Sequence, residues 1–213
     1  MKKLFFRYIW FILDILINSF GIAFITKASL GTSPISSVPY VLSFRFPLSF
    51  GGFTFLLNMI FILGEVVLLR RQFHPYQYLQ IVVNMIFSSF IDVSMTLLGS
   101  FTPTHFASQI LFLLAGCAIL ALGSCVEVAP NVLVVPGEGT VKAIAQVSRK
   151  KFGRVKVIFD VTLILTAACL SLLFFRHLNG LGIGTIISAL LVGRIVNFIQ
   201  KHLHILKRIP TAA

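Results

Sequence analysis

Chemistry has few places to come from in this chain. Six carboxylates occur in 213 residues, at Asp14, Glu65, Asp92, Glu127, Glu138 and Asp160. Five fall within or at the edges of long apolar runs, and Glu138 stands in an irregular apolar segment. A charge at the centre of a membrane helix costs roughly 2.5–3.5 kcal/mol, so each acid needs a partner or a wet cavity. Carboxylates placed in that way suit solute binding or proton movement. Hydrolytic and metal chemistry lack their signatures, since there is no His-Glu-x-x-His run and no Gly-x-Ser-x-Gly elbow. His74, His105, His177, His202 and His204 fall in loops or the tail. Cys117, Cys125 and Cys169 lie in apolar runs without ligand spacing and read as small core residues. No catalytic residue, metal or cofactor is expected, and with no Walker A loop any ATP coupling must come from another protein.

Two segments stand out as too irregular for a span and too apolar for a loop. Residues 28–40 read Ala-Ser-Leu-Gly-Thr-Ser-Pro-Ile-Ser-Ser-Val-Pro-Tyr, and residues 129–140 read Ala-Pro-Asn-Val-Leu-Val-Val-Pro-Gly-Glu-Gly-Thr. The first predicts a helix start with Ser33 as N-cap and Pro34 at the first helical position. The second predicts one at Pro136, opened by Gly137, Glu138 and Gly139 and running to about Lys151. Unpaired N–H groups and a positive dipole end at such starts suit an anionic ligand group. Two half-helices aimed at a shared site are one reading. Amphipathic helices lying on the membrane surface are the other, favoured by Lys142, Arg149 and Lys150. On the first reading, the candidate binding residues are Thr32, Ser33, Ser36, Ser37, Asn58, Asp92, Gly137, Glu138, Asp160 and Arg194. Arg194 is expected to pair with Asp160 or Asp14. Glu65 and Glu127 lie nearer helix ends, where side chains reach the interface.

The elements that must position these residues follow from composition. The chain is 57% hydrophobic and only 11% charged, with a mean hydropathy of +0.97, whereas a soluble domain carries about 25% charged residues. Six apolar runs occur, at about 8–26, 52–69, 78–98, 107–128, 156–175 and 180–200. Each is close to the roughly 20 residues a spanning helix needs. With six spans and the N-terminus inside, fourteen of the 18 basic residues fall on the cytoplasmic side. Lys27, Arg45 and Arg176 fall outside, and Arg194 lies within the sixth span. The net charge of +12 is then directed at anionic lipid head groups rather than nucleic acid. Both termini are expected in the cytoplasm, with residues 203–213 as a tail.

Displacing the chain against itself by 102 positions aligns Gly21 with Gly123, Pro34 with Pro136, and Phe50-Gly51 with Phe152-Gly153. Asn58 falls on Asp160 and Asp92 on Arg194. The expected architecture is all-α: one integral membrane domain of two inverted three-span repeats, about 5–100 and 106–202, each with a broken or half-helix. Inverted repeats are characteristic of secondary transporters. Gly180 and Gly184 are expected to form a small-xxx-small packing face.

The stretches Gly21-Ile-Ala-Phe and Ala28-x-Leu-Gly-Thr-Ser-Pro34, with Ser49-Phe-Gly51, Ile91-Asp92, Gly182-x-Gly-Thr185 and Gly193, resemble the YczE/YyaS/YitT group of bacterial integral membrane proteins. The resemblance implies a multi-pass protein of the bacterial cytoplasmic membrane. It implies no substrate and no site residues. The function expected is that of a small-molecule transporter or permease-like protein with a polar site between its halves, acting on an unknown solute. The alternatives are a substrate-capture subunit of an ATP-driven transporter, or a non-transporting accessory or sensor protein. Either would dock a partner, and a homo-oligomer is compatible with all three.

Overall fold

The computed structural model describes residues 2–101, 103–128 and 135–202, and all regular structure among them is helical. Eight α-helices follow in order: α1 Lys2–Lys27, α2 Pro34–Ser43, α3 Phe50–Leu69, α4 Leu79–Leu97, α5 Phe106–Val128, α6 Pro136–Ser148, α7 Phe152–Phe175 and α8 Ile183–His202. Short 3-10 turns at Arg70–Gln72 and Pro75–Tyr78 join α3 to α4. Residues 129–134, which open the second irregular segment, and the tail from residue 203 lie outside the described residues, as does the Glu127 side chain.

Among the described residues, four stretches are long and apolar enough to cross a membrane: Phe50–Gln72, Pro75–Leu97, Phe106–Cys125 and Phe152–Phe175; Ile183–Ile199 is a shorter apolar helix. Side-chain placement agrees with a lipid environment. Leu173, Val67, Leu111 and Ile60 stand in the open, while Asp14, Asn84, Thr32 and Ser37 are fully buried. A globule in water would sort these side chains the other way. The helices make this a membrane protein.

Helix starts follow local chemistry. Pro34 and Pro136 occupy first helical positions, where a missing N–H costs nothing. Ser49 caps α3 by accepting from the Gly52 N–H at 3.0 Å. Every helix start in the first half that can be compared recurs near a displacement of 102 residues, and two pairs, Pro34 with Pro136 and Phe50 with Phe152, match to the residue.

Packing follows the same correspondence. The most extensive interface joins α1 to α5. Gly21 lies against the Leu120 backbone, Gly123 against Asn18, and Gly116 against Ile25. Numbers rise along one helix as they fall along the other, so the two run antiparallel. Asn18 and Leu120 are themselves 102 apart, so the Gly21–Leu120 and Gly123–Asn18 contacts are the same contact made twice. Likewise α1 packs on α4 as α5 does on α8, and α2 packs on α7 as α6 does on α3. Two relations break among the described residues: α3 packs closely on α4 but α8 makes no comparable contact with α7, and α2 meets α8 but α6 makes no comparable contact with α4.

Two expectations are corrected here. Gly180 precedes α8 in a turn with φ of 77°, so it shares no helix face with Gly184. Gly184 instead lets the chain before α2 approach, donating its N–H to the Leu30 carbonyl at 2.8 Å. Cys117 and Cys125 are buried as expected, but Cys169 is exposed on α7.

Candidate functional site

The Pro-led helices are short. At 1.5 Å per residue, α2 with 10 residues and α6 with 13 span about 15 and 20 Å, roughly half and two-thirds of a bilayer core of about 30 Å. The starts of both are packed into the protein. Pro34, Ser36, Ser37, Val38, Pro39 and Val41 of α2 are buried, as are Pro136, Gly137, Gly139, Thr140, Val141 and Ala143 of α6. Each helix crosses to the other half. Val38 and Val41 join Leu163 and Ala167 of α7 in one apolar cluster, which Phe61 of α3 completes. The two N-termini meet where Ile35 touches Gly137.

Around the first turn of α6 the buried groups are acids and amides. Gly139 lies against the Glu65 carboxylate of α3, leaving no room for a side chain. Thr140 Oγ1 sits 3.2 Å from the Phe61 carbonyl and 3.5 Å from Glu65 Oε1, and Gln80 Nε2 of α4 donates to Glu65 Oε2 at 3.3 Å. Glu138 lies within electrostatic reach of Asp14 on α1. Asn18, one turn on, donates its Nδ2 to Asp14 Oδ1 at 2.6 Å. Asp14 and Glu65 are essentially inaccessible, and Glu138 is half-buried. The Glu65 carboxylate therefore packs on the first turn of α6, while Asp14 is in electrostatic reach of Glu138 from α1. Lys142, exposed one turn further along α6, is within electrostatic reach of Glu65 but forms no ion pair with it.

The first turn of α2 carries hydroxyls instead. Thr32 Oγ1 is 2.8 Å from Thr26 Oγ1, the Thr32 N–H donates to Thr185 Oγ1 at 3.2 Å, and Ser188 Oγ donates to the Thr32 carbonyl at 3.4 Å. Ser33 Oγ donates to Ser36 Oγ at 2.9 Å, and Ser37 Oγ to the Pro34 carbonyl at 2.6 Å. Each hydroxyl here finds its partner within the protein, and together they fasten α2 to α1, α7 and α8.

A family of unknown function (DUF6198) matches the chain over residues 5–201. The chain belongs to this family. The match takes in both Pro-led helices and reaches into all eight α-helices of this DUF6198 member. No curated protein and no solved structure matches it.

The remaining candidate residues of this DUF6198 chain lie apart from the α6 start. Asn58 donates to Asn84 Oδ1 at 2.8 Å, binding α3 to α4. Asp92 accepts from Ser49 Oγ at 2.6 Å and the Gly51 N–H at 2.7 Å, at the N-terminus of α3. Asp160 pairs with Lys156 at 3.0 Å, one turn back on α7. Arg194 is exposed on α8 and, among the described residues, pairs with neither Asp160 nor Asp14. Gln80, Asn84, Ser88 and Asp92 recur every four residues on α4, so one stripe faces α3. That spacing is visible in the sequence and would have placed Gln80 and Asn84 beside Glu65 and Asn58. Asp14 and Asn18 show the same i, i+4 signal on α1.

Proposed function

We propose that this chain is a six-span transporter or permease-like protein of the bacterial cytoplasmic membrane, with its solute site between two inverted halves. The observation that carries the reading is the exchange of half-helices: α2 of the first half sits on α7, and α6 of the second sits on α3. A ligand at their meeting point touches both halves, so rocking one half against the other opens it to alternate sides. Irregular backbone before such helices is tolerated at membrane depth only where protein or a wet cavity satisfies it. Inversion is supported by the antiparallel fit of α1 on α5. The two-fold relation that repeats the Gly21–Leu120 contact as Gly123–Asn18 runs across the helix axes, hence within the membrane plane.

Sidedness is supported by what gathers at each end of the bundle. Gln146 donates to Gln72 at 2.7 Å, bringing Arg70 and Arg71 to the same end as Arg149, Lys150 and Lys151. At the other end Phe46 packs on Phe174 and Gly180 on Phe44, near Arg45 and Arg176. The strongly basic end is assigned to the cytoplasm, facing anionic lipid, with both termini there. Nucleic acid, a metal, a cofactor and catalysis have no part in this reading. Kinship with the YczE/YyaS/YitT group belongs to the same proposal and rests on the motifs quoted above.

The test joins topology to flux. Single cysteines replacing Arg45 and Lys150, in a Cys169→Ser background, are treated with a membrane-impermeant thiol reagent on intact spheroplasts. Arg45→Cys should label from outside and Lys150→Cys only after lysis. Labelling of both from one side sinks the inverted arrangement. Proteoliposomes that exchange no solute from a metabolite pool, above protein-free vesicles, sink the transporter reading.

A further inference from the structure

We infer that the outward face of α8 carries a site for one anionic phospholipid, with the lipid phosphate on Arg194 and an acyl chain along Ile186 and Leu190. This goes beyond the transport reading and does not depend on it. Displacement by 102 residues sets Ile186, Leu190 and Arg194 of α8 against Asn84, Ser88 and Asp92 of α4. In the first half that face is closed by α3. There Asn84 bonds Asn58 and the Phe55 carbonyl, the Ser88 carbonyl lies against Gly51, and Asp92 accepts from Ser49 and the Gly51 N–H. In the second half α7 makes no comparable contact, and Ile186, Leu190 and Arg194 are all exposed. The chemistry changes with the exposure, from an amide, a hydroxyl and a carboxylate to two aliphatic side chains and a guanidinium. An exposed Arg on a membrane helix needs an anionic partner or water. Among the described residues, Arg194 forms no ion pair.

The order of side chains names the occupant. Residues 186, 190, 194, 197 and 201 follow one another at intervals of three or four, so they share one face. Ile187, Leu191, Ile195 and Ile199 join the apolar clusters formed with α5 instead. Asn197 and Lys201 are exposed and bring further N–H donors. Arg194 stands eight residues before His202 at the end of α8, about 12 Å along the axis at 1.5 Å per residue. Its stem lies in apolar surroundings while the guanidinium reaches towards that end. Along the stripe, aliphatic surface gives way to a guanidinium, an amide and an ammonium. A phospholipid presents its groups in the same order, acyl chain first and phosphate after, and the planar guanidinium binds phosphate bidentately. Basic surface on membrane helices takes anionic head groups on this ground. A second copy of the chain fits less well. It would have to offer Arg194 a carboxylate, and among the described residues none is exposed. Asp14 and Glu65 are buried, Asp92 and Asp160 have partners of their own, and Glu138 is half-buried.

Purified protein in detergent is mixed with dioleoylphosphatidylglycerol, dioleoylphosphatidylcholine or inorganic phosphate, and read by native mass spectrometry and thermal unfolding. Wild type should retain one phosphatidylglycerol, bound about fivefold more tightly than phosphatidylcholine, the factor one basic side chain contributes near an anionic head group. Arg194→Gln should remove this preference, and Leu190→Asn should weaken retention of the lipid. Arg154→Gln, which takes a charge from the exposed start of α7, should keep the preference. Phosphate alone should not raise the melting temperature. Equal retention of the two lipids by wild type overturns the inference, and that comparison stands even where a variant fails to fold. Equal loss of preference in Arg154→Gln and Arg194→Gln overturns it too, since it marks diffuse attraction by basic charge. Stabilisation by phosphate alone replaces the lipid site with one for a soluble anion. A lipid-free pair of chains that Arg194→Gln splits gives the stripe to a second copy, and either result also overturns the inference.

Discussion

Ile35 and Gly137 hold corresponding places 102 residues apart, and they touch. A Cβ built on Gly137 would lie 3.2 Å from Ile35 Cδ1 and 3.4 Å from Ile35 Cγ2. Both are second residues of Pro-led helices, so this contact lies where the halves exchange places. Gly137→Ala should therefore lower the melting temperature slightly, by the equivalent of about 0.5–1 kcal/mol of overpacking. Ile35→Ala should cost more alone, about 2–4 kcal/mol as a large-to-small change in a packed site. The double variant should be more stable than the sum of the two changes, with a coupling of about 0.5 kcal/mol or more. Additive effects in a thermal double-mutant cycle would separate the two residues.

Gly51 and Gly153 test the broken correspondence. A Cβ at Gly51 would overlap the Ser88 carbonyl and the Asp92 carboxylate, whereas one at Gly153 meets nothing within 4 Å. Gly51→Ala should lower the yield of folded protein in detergent and its melting temperature. Gly153→Ala should leave both unchanged or raise them, since Ala exceeds Gly in helix propensity by about 0.8–1 kcal/mol. Equal behaviour of the two variants would mean that α7 and α8 close up as α3 and α4 do.

Asp92 holds the N-terminus of α3 through Gly51 and Ser49. Ser49→Ala removes one cap and should cost about 1 kcal/mol. Asp92→Ala removes two acceptor contacts and should cost more, while Asp92→Asn, which retains an acceptor oxygen, should fall between wild type and Asp92→Ala in a thermal melt. Solute binding should be kept in Ser49→Ala. Loss of binding without loss of stability would move Asp92 from a cap to a ligand group.

Much of this arrangement can be read along the chain, because Pro at a helix start and Gly at a close contact are demands of the backbone itself. Pro34 and Pro136 mark helix starts that the sequence already points to, whereas Phe50 and Phe152, which start α3 and α7, stand out in the sequence only as positions aligned by the displacement of 102. Side-chain partners are less legible, since they depend on rotation about helix axes. Asp92, Asp160 and Arg194 look alike as intramembrane charges. Yet one caps a helix, one pairs within its own turn, and one is exposed. Glu65 sits four residues before the end of α3, where sequence position suggests escape to the interface. Its burial comes from α6 packing across it, a contact between residues about 75 apart, which local periodicity does not encode.

Thr185 is the residue through which α8 holds the start of α2. Its Oγ1 accepts from the Thr32 N–H, and it is 1% exposed. Thr185→Val keeps the shape but removes the acceptor, leaving a buried N–H unpaired at a cost of about 1–3 kcal/mol. Thr185→Ser keeps the acceptor and loses one methyl group, about 1 kcal/mol or less by transfer. Thermal unfolding should therefore rank wild type above Ser and Ser above Val. If Val and Ser melt alike, the hydrogen bond to Thr32 contributes nothing, and the fastening of α2 must rest on its apolar contacts with α7.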